Sequence, residues 1–295
     1  MLFNNLTPSA KPFELTPTTT QRDLVYHVMK YRHDKLLETA RPDIKMILHG
    51  ESRPHASAWK TAPPKPEFMM DGFDFQLCVR RALRVPIFRD TIQCTCGSEI
   101  TPFGDHTLSC KPGGGVVHRH DDGYRVITKL IRSSLMSCEV ESTQVFPNGG
   151  TYRADIVIVQ PIPGVTTRKA LFDFTVTNGS APYLADASAK APEVAMKEGI
   201  KRKNKQIDVK SIKELGYDFV PLSFEAAGGF DNKTETVCLY LLSEKAKIHN
   251  RDLSEVVAEF WQELSVTMQR SNSHMIRARL SLQGAQYMQS RPSGV

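Results

Sequence analysis

Hydrophobic positions along this chain change period several times, and the changes predict its elements. After Thr20 and Asp23, which have the spacing of a capping box, Leu24, Val25, Val28, Met29, Leu36 and Leu37 follow a helical repeat. This stripe predicts a packing helix. From Arg41 to Lys65 the repeat is lost among Pro42, Pro54, Pro63 and Pro64, so an extended connector is expected, with the lone Trp59 docked on a core. A second helix is predicted from about Gly72 to Leu83, ending in Arg80, Arg81 and Arg84, and a third carries Val126, Ile127, Leu130, Ile131 and Leu135, capped by Asp121 or Asp122. Val140 to Phe146 then reads as a strand. Ile156 to Val159 and Leu171 to Val176 form two further β-branched and aromatic runs joined by a Pro/Gly turn, the pattern of a hairpin. An alanine-rich helix follows from Tyr183 to Ile207, interrupted at Pro192, and then a strand from Phe219 to Phe224. The strongest helical stripe comes last: Leu253, Val256, Val257, Phe260, Trp261, Leu264 and Met268, followed by a basic, partly helical tail with Arg270, Arg277 and Arg279. Positions 1–19, rich in Pro, Thr and Asn, read as a disordered arm.

Two positions break the hairpin pattern. Asp155 opens its first strand and Asp173 interrupts its second. A carboxylate in or beside a sheet is costly unless it is paired or holds a cation, so two of them on neighbouring strands suit either a divalent-metal site or salt bridges. A second cluster lies upstream, where Cys94, Cys96, His106 and Cys110 fall within seventeen positions, with Gly97 and Gly104 to turn the loop. Soft thiolates and one imidazole at such density predict a tetrahedral structural Zn²⁺ site. Two cysteines one residue apart bridge poorly, so the six cysteines do not read as a disulfide framework and the compartment reads as reducing. His118 and His120 are secondary ligand candidates.

Composition adds bounds. With 295 residues and 40% hydrophobic content the chain can build a sizeable core. Its net charge of +6 tilts the partner towards polyanions, and the density peaks between Lys197 and Lys213, where seven Lys/Arg face two acids. Lys197, Lys201 and Lys205 recur every four residues and share a helix face. No run approaches eighteen uninterrupted apolar residues and no signal-peptide pattern opens the chain, so no membrane partner and an intracellular location, nuclear or cytoplasmic, are expected.

The order helix, three strands, helix, strand, with Asp155 heading the second strand and Asp173 inside the third, resembles the restriction-endonuclease-like core of the PD-(D/E)XK nucleases. A narrower resemblance rests on CxCG, GDHTLSC, RHD at Arg119 to Asp121, RADI, DFTVT, the Lys-rich helix and FVPLSFEAAGG, with SAWKTAPP upstream and ELSVTMQR downstream. Together these motifs, over roughly residues 55 to 280, look like the C-terminal region of reverse transcriptases from non-LTR retrotransposons that carry a restriction-like endonuclease.

The resemblance implies an α+β fold with an α/β core, a mixed sheet flanked by helices. It divides the chain into a helical N-terminal region with its arm (1–90), a zinc-binding segment (91–118), the nuclease core (119–245) and a C-terminal helical region (246–295). It implies Mg²⁺- or Mn²⁺-dependent nicking of DNA, with Asp155 and Asp173 as the metal ligands and Cys94, Cys96, His106 and Cys110 on zinc. The water-activating lysine, whose common position is occupied here by Thr175, is implied to come from the following helix: Lys201 first, then Lys197 and Lys205. Glu141 and Glu225 are candidate outer ligands, and Arg153 a phosphate clamp. Arg119, His120, Arg202 and Lys203 are further candidates for nucleic-acid contacts, with RNA the alternative to DNA. Ala154 stands where the family usually has proline, and no polymerase part is recognisable, so a reverse transcriptase supplied separately is an expected partner. The alternative function is a catalytically silent, zinc-containing nucleic-acid-binding protein.

Overall fold

The computed structural model describes residues 20–289, other than positions 64 and 148. The N-terminal arm, 1–19, lies outside the described residues. Helix α1 (Gln21–Thr39) opens with the expected capping box, Thr20 and Asp23 each accepting from the other's backbone. It is not a packing helix. Val25, Met29 and Leu36 are exposed, and no described element covers them; ion pairs Lys30–Asp34 (2.6 Å) and Lys35–Glu38 (2.8 Å) run along its surface instead. The region expected as a connector contains a helix, α2 (Pro42–Gly50). Its proline sits in the first turn, where a missing N–H costs no hydrogen bond. Trp59 docks as expected: it is buried with Phe68, Cys78 and Val266, and its backbone N–H donates to Ser265 Oγ at 3.1 Å.

Helix α3 (Gly72–Ala82) is capped by Asp71 and leads to a miniature hairpin of β1 (Ile92–Gln93) and β2 (Glu99–Ile100). Helix α4 (Gly115–Ser133) starts earlier than its stripe predicts, because Gly114 adopts a left-handed φ of 72° and serves as the N-cap in place of Asp121 or Asp122. Arg119, His120 and Asp121 therefore ride on its first two turns.

The main sheet has strands β3 (Cys138–Val145), β4 (Thr151–Ile158), β5 (Lys169–Thr177) and β6 (Tyr217–Glu225), in that spatial order. The β4–β5 hairpin is antiparallel as the pattern predicts. Strand β6 is parallel to β5, reached through α5 (Ala185–Lys190), α6 (Val194–Gln206) and α7 (Val209–Glu214). Pro192 separates α5 from α6, with Glu193 at φ 66°. Two further helices complete the described chain: α8 (Asn232–Ile248), which the hydrophobic pattern did not single out, and α9 (Leu253–Gln289). The supposed tail is the continuation of α9. Arg277 there pairs with Asp74 at 3.3 Å and Arg270 donates to the carbonyl of Glu67 at 3.0 Å, so these cations fasten α9 to the N-terminal region.

The fold is mixed α and β, with helices on both faces of the sheet. One face packs Ile156, Phe172 and Phe174 against Ile127 and Ile131 of α4, Leu241 of α8 and Trp261 of α9. The other packs Ala154, Val157 and Leu171 against Ile207 and Ile212 beside α6 and α7. Each fully buried phenylalanine contributes roughly 2–3 kcal/mol by leaving water. No helix among the described residues is long and apolar enough to cross a membrane.

Candidate functional site

The site begins where two strands part. Strand β4 pairs with β5 only from Ile156↔Phe172 to Ile158↔Ala170, and before Ile156 it diverges. The amide of Phe174 then lacks a strand partner on that side, and Asp155 Oδ2 accepts from it at 2.7 Å. The β3–β4 ladder is interrupted at the same level. Its register passes from Val140↔Ile156 to Ser142↔Ala154, omitting Glu141 and Asp155, and Glu141 has a left-handed φ of 54°. Ala154 and Ile156, two apart, consequently face opposite cores, where a regular strand would put them on one face. The irregularity aims the intervening Asp155 into a cleft of about 340 Å³ that also borders His120, Glu141, Arg153, Arg202 and Lys203.

Asp173, on β5, faces α6 and is buried. The hydroxyl of Tyr152 donates to its Oδ2, and Lys203 Nζ lies 2.5 Å from its Oδ1. His120, from α4, sits 3.2 Å from Asp155 through Nε2 and 3.2 Å from Asp121 through Nδ1. Ligand atoms of His120, Asp155 and Asp173 all lie within 4.8 Å of one another, a spacing that could accommodate one cation.

The environment separates the two carboxyls. Burial works against the charge on Asp155, but the hydrogen bond and charge of His120 and the Phe174 amide outweigh it, so its proton is held below the ordinary carboxyl range. Burial raises Asp173 despite the opposing Lys203, and proximity to Asp155 adds to the rise. Burial alone would lower His120, yet its bond to Asp155 raises it.

Among the lysines, the structure brings Lys203 to the carboxylates. Lys201 reaches outward, its side chain 64% exposed and 4.0 Å from Glu198; Lys197 pairs with Glu193 at 3.3 Å, and Lys205 is exposed. The inner face of α6 is marked by Ala195, Met196 and Gly199, and Lys203 falls four residues after Gly199, on that face. The readable signal was therefore the cation in register with the apolar stripe. Arg202 donates to Thr175 Oγ1 at 2.9 Å, bringing a second cation to the position where the nuclease pattern usually has its lysine.

Two further candidates lie elsewhere. Glu225 is buried at the end of β6, so close to Gly50 and Gly179 that a β-carbon at either would collide with it; burial pushes its carboxyl up to about 7, and it is no outer ligand of this cleft. Arg119 is 1% exposed, donating to Asn272 Oδ1 and to the carbonyl of Leu108, both at 2.9 Å, so it is an internal strut and cannot reach nucleic acid. Glu141 and Arg153 remain at the rim as a solvent-exposed pair 3.2 Å apart.

The cysteine cluster assembles as its spacing predicts. Cys94 Sγ lies 3.5 Å from Cys110 Sγ and Cys96 Sγ 3.1 Å from His106 Nε2, and all four ligand atoms lie within 4.8 Å of one another. A disulfide would need about 2.05 Å, whereas sulfurs at tetrahedral corners around Zn²⁺ stand about 3.8 Å apart. The separation and the donor set fit a soft metal such as zinc. Gly97 and Gly104, at φ 88° and 73°, make the turns, and Ile92, Ile100 and Leu108 anchor the segment against Leu77 of α3 and Met275 and Ile276 of α9. His118 is not a member of the cluster. No protein-family model matches this sequence, and no curated protein matches it.

Proposed function

We propose that the cleft is the site of a metal-dependent DNA endonuclease in a restriction-endonuclease-like core. The observation that supports this best is the convergence of Asp155, Asp173 and Lys203 at the parting of β4 and β5, with His120 on the open side. A carboxylate pair flanked by a lysine suits metal-assisted phosphodiester hydrolysis. Asp155 and Asp173 would hold Mg²⁺ or Mn²⁺, which when bound supplies charge neutralisation at the scissile phosphate and an acidified water. Lys203, 2.5 Å from Asp173, would position the attacking water, and His120, 3.2 Å from Asp155, would orient that carboxylate. Arg202 and Arg153 offer planar cations to the phosphates on either side.

The zinc-type segment packed ahead of this core accords with the resemblance to the endonuclease region of non-LTR retrotransposon reverse transcriptases. On that reading the product is a nick whose 3′-hydroxyl a reverse transcriptase extends. Nicking of supercoiled plasmid with Mg²⁺ tests it: wild type nicks, and the Asp155→Ala, Asp173→Ala double variant does not. Equal nicking by the double variant would refute the assignment. One observation favours a silent, binding-only protein instead: Tyr152 and Lys203 already occupy both oxygens of Asp173. Absence of nicking by wild type, with retained DNA binding, is the outcome that reading expects.

A further inference from the structure

We infer that the groove between α4 and the edge strand β3 seats the backbone of a DNA duplex and leads it into the carboxylate cleft. The groove, about 610 Å³, is bordered by Tyr124, Arg125, Thr128, Lys129, Arg132 and Val140, so that its lining includes three cations and no carboxylate. It adjoins the cleft, Tyr124 bordering both. Arg125, Lys129 and Arg132 recur at helical spacing on the outer face of α4, the side chains of the first two being 70% and 66% exposed.

Two of these cations are already ion-paired, Arg125 with Asp122 at 3.0 Å and Lys129 with Glu263 at 2.7 Å. Arg132 makes no ion pair among the described residues. From Arg125 to Arg132 the helix rises about 10 Å, at about 1.5 Å per residue. A strand of duplex DNA presents a phosphate about every 3.4 Å along its axis, so the row spans about three phosphates. The occupant is a duplex rather than a single strand, because single-strand channels supply open aromatic rings for base stacking. Tyr124, the sole aromatic residue bordering the groove, is stacked on His120 at 6.2 Å and its hydroxyl is buried. Contacts of this kind go to the backbone and carry no base recognition.

This inference rests on the endonuclease reading, and its test separates the two. Binding of a fluorescein-labelled DNA duplex of 30 base pairs to the full-length Asp173→Asn chain is followed by anisotropy across a salt series. Substituting Arg125, Lys129 and Arg132 together by Gln should flatten the plot of log Kobs against log salt by about 2–3, at about 0.9 per phosphate contact, and weaken binding about 100-fold near 0.1 M salt. Arg132→Gln alone disturbs no ion pair and should flatten the slope by about 0.9. An unchanged slope in both variants, or tighter binding of the single strand than of the duplex, overturns the inference. If the slopes change as expected while wild type fails to nick, the groove stands and the nuclease reading falls.

Discussion

Replacing Glu225 by glutamine keeps the shape of the side chain and removes its ability to ionise, which isolates the energetic effect of one buried carboxyl. Glu225 lies 5% exposed, with Gly50 and Gly179 pressed against it and with Arg81 and Glu51 as its charged neighbours. Burial dominates and moves the carboxyl from its ordinary 4.5 to about 7, Arg81 opposing the rise and Glu51 adding to it. The folded state thus binds the proton more tightly than the unfolded state, so this group's contribution to stability is fully present below about pH 4.5 and is lost as pH rises to about 7. At about 1.4 kcal/mol per pH unit the whole loss is about 3 kcal/mol, of which about 2.5 falls between about pH 5 and pH 8. Urea denaturation of wild type and Glu225→Gln at both pH values measures it. The variant should gain about 2.5 kcal/mol on wild type between the two, and the double difference cancels any fixed packing cost. A change below about 1 kcal/mol would show that the carboxyl is not held neutral by its surroundings.

On the endonuclease reading, Lys203→Met should lower plasmid nicking by at least about 100-fold, whereas Lys197→Ala, Lys201→Ala and Lys205→Ala should stay within about threefold of wild type. Equal losses across the four would refute the placement of Lys203. Purified protein should carry about one equivalent of zinc by metal analysis, and chelation should open the 91–110 region to protease before the sheet unfolds; a metal content well below one equivalent would remove the zinc assignment. Gly199→Ala decides between two opposing effects: helix propensity favours alanine by about 1 kcal/mol. The added β-carbon, however, would lie 2.7 Å from Thr177 Oγ1 and 2.9 Å from Ser223 Oγ. We expect a net loss of about 1–3 kcal/mol in urea unfolding, and a stabilised variant would show that α6 does not bear on the sheet through this glycine.

What the sequence made legible follows from where a single period dominates. Helix α3 and the first part of α9 each show one uninterrupted pattern, the β4–β5 hairpin keeps its two apolar runs despite the single aspartate in each strand, and the cysteine cluster is local, so all were readable. Helix α2 was hidden because its proline sits at the one helical place that tolerates it, and α8 because Val237, Cys238, Leu241 and Leu242 form only a short stripe within a polar sequence. The inward lysine was misplaced because the spacing of Lys197, Lys201 and Lys205 describes the solvent face, while the sheet-facing side is defined by Met196 and Gly199. The gap in the β3–β4 ladder at Glu141 and Asp155 has no local signal. It coincides with the point where β4 parts from β5, and it is there that a strand aspartate becomes a cleft residue.

Arg119 makes the zinc-type segment inseparable from the rest. Its guanidinium is held inside by the carbonyl of Leu108 and by Asn272, and the next residue of the same helix is His120, in contact with Asp155. Removing residues 91–118 from this chain, or replacing Asn272, would deprive the buried Arg119 cation of one of these two acceptors, a defect of several kcal/mol. One helical turn of α4 thus touches both metal-type clusters, the cysteine loop through Arg119 and the carboxylates through His120.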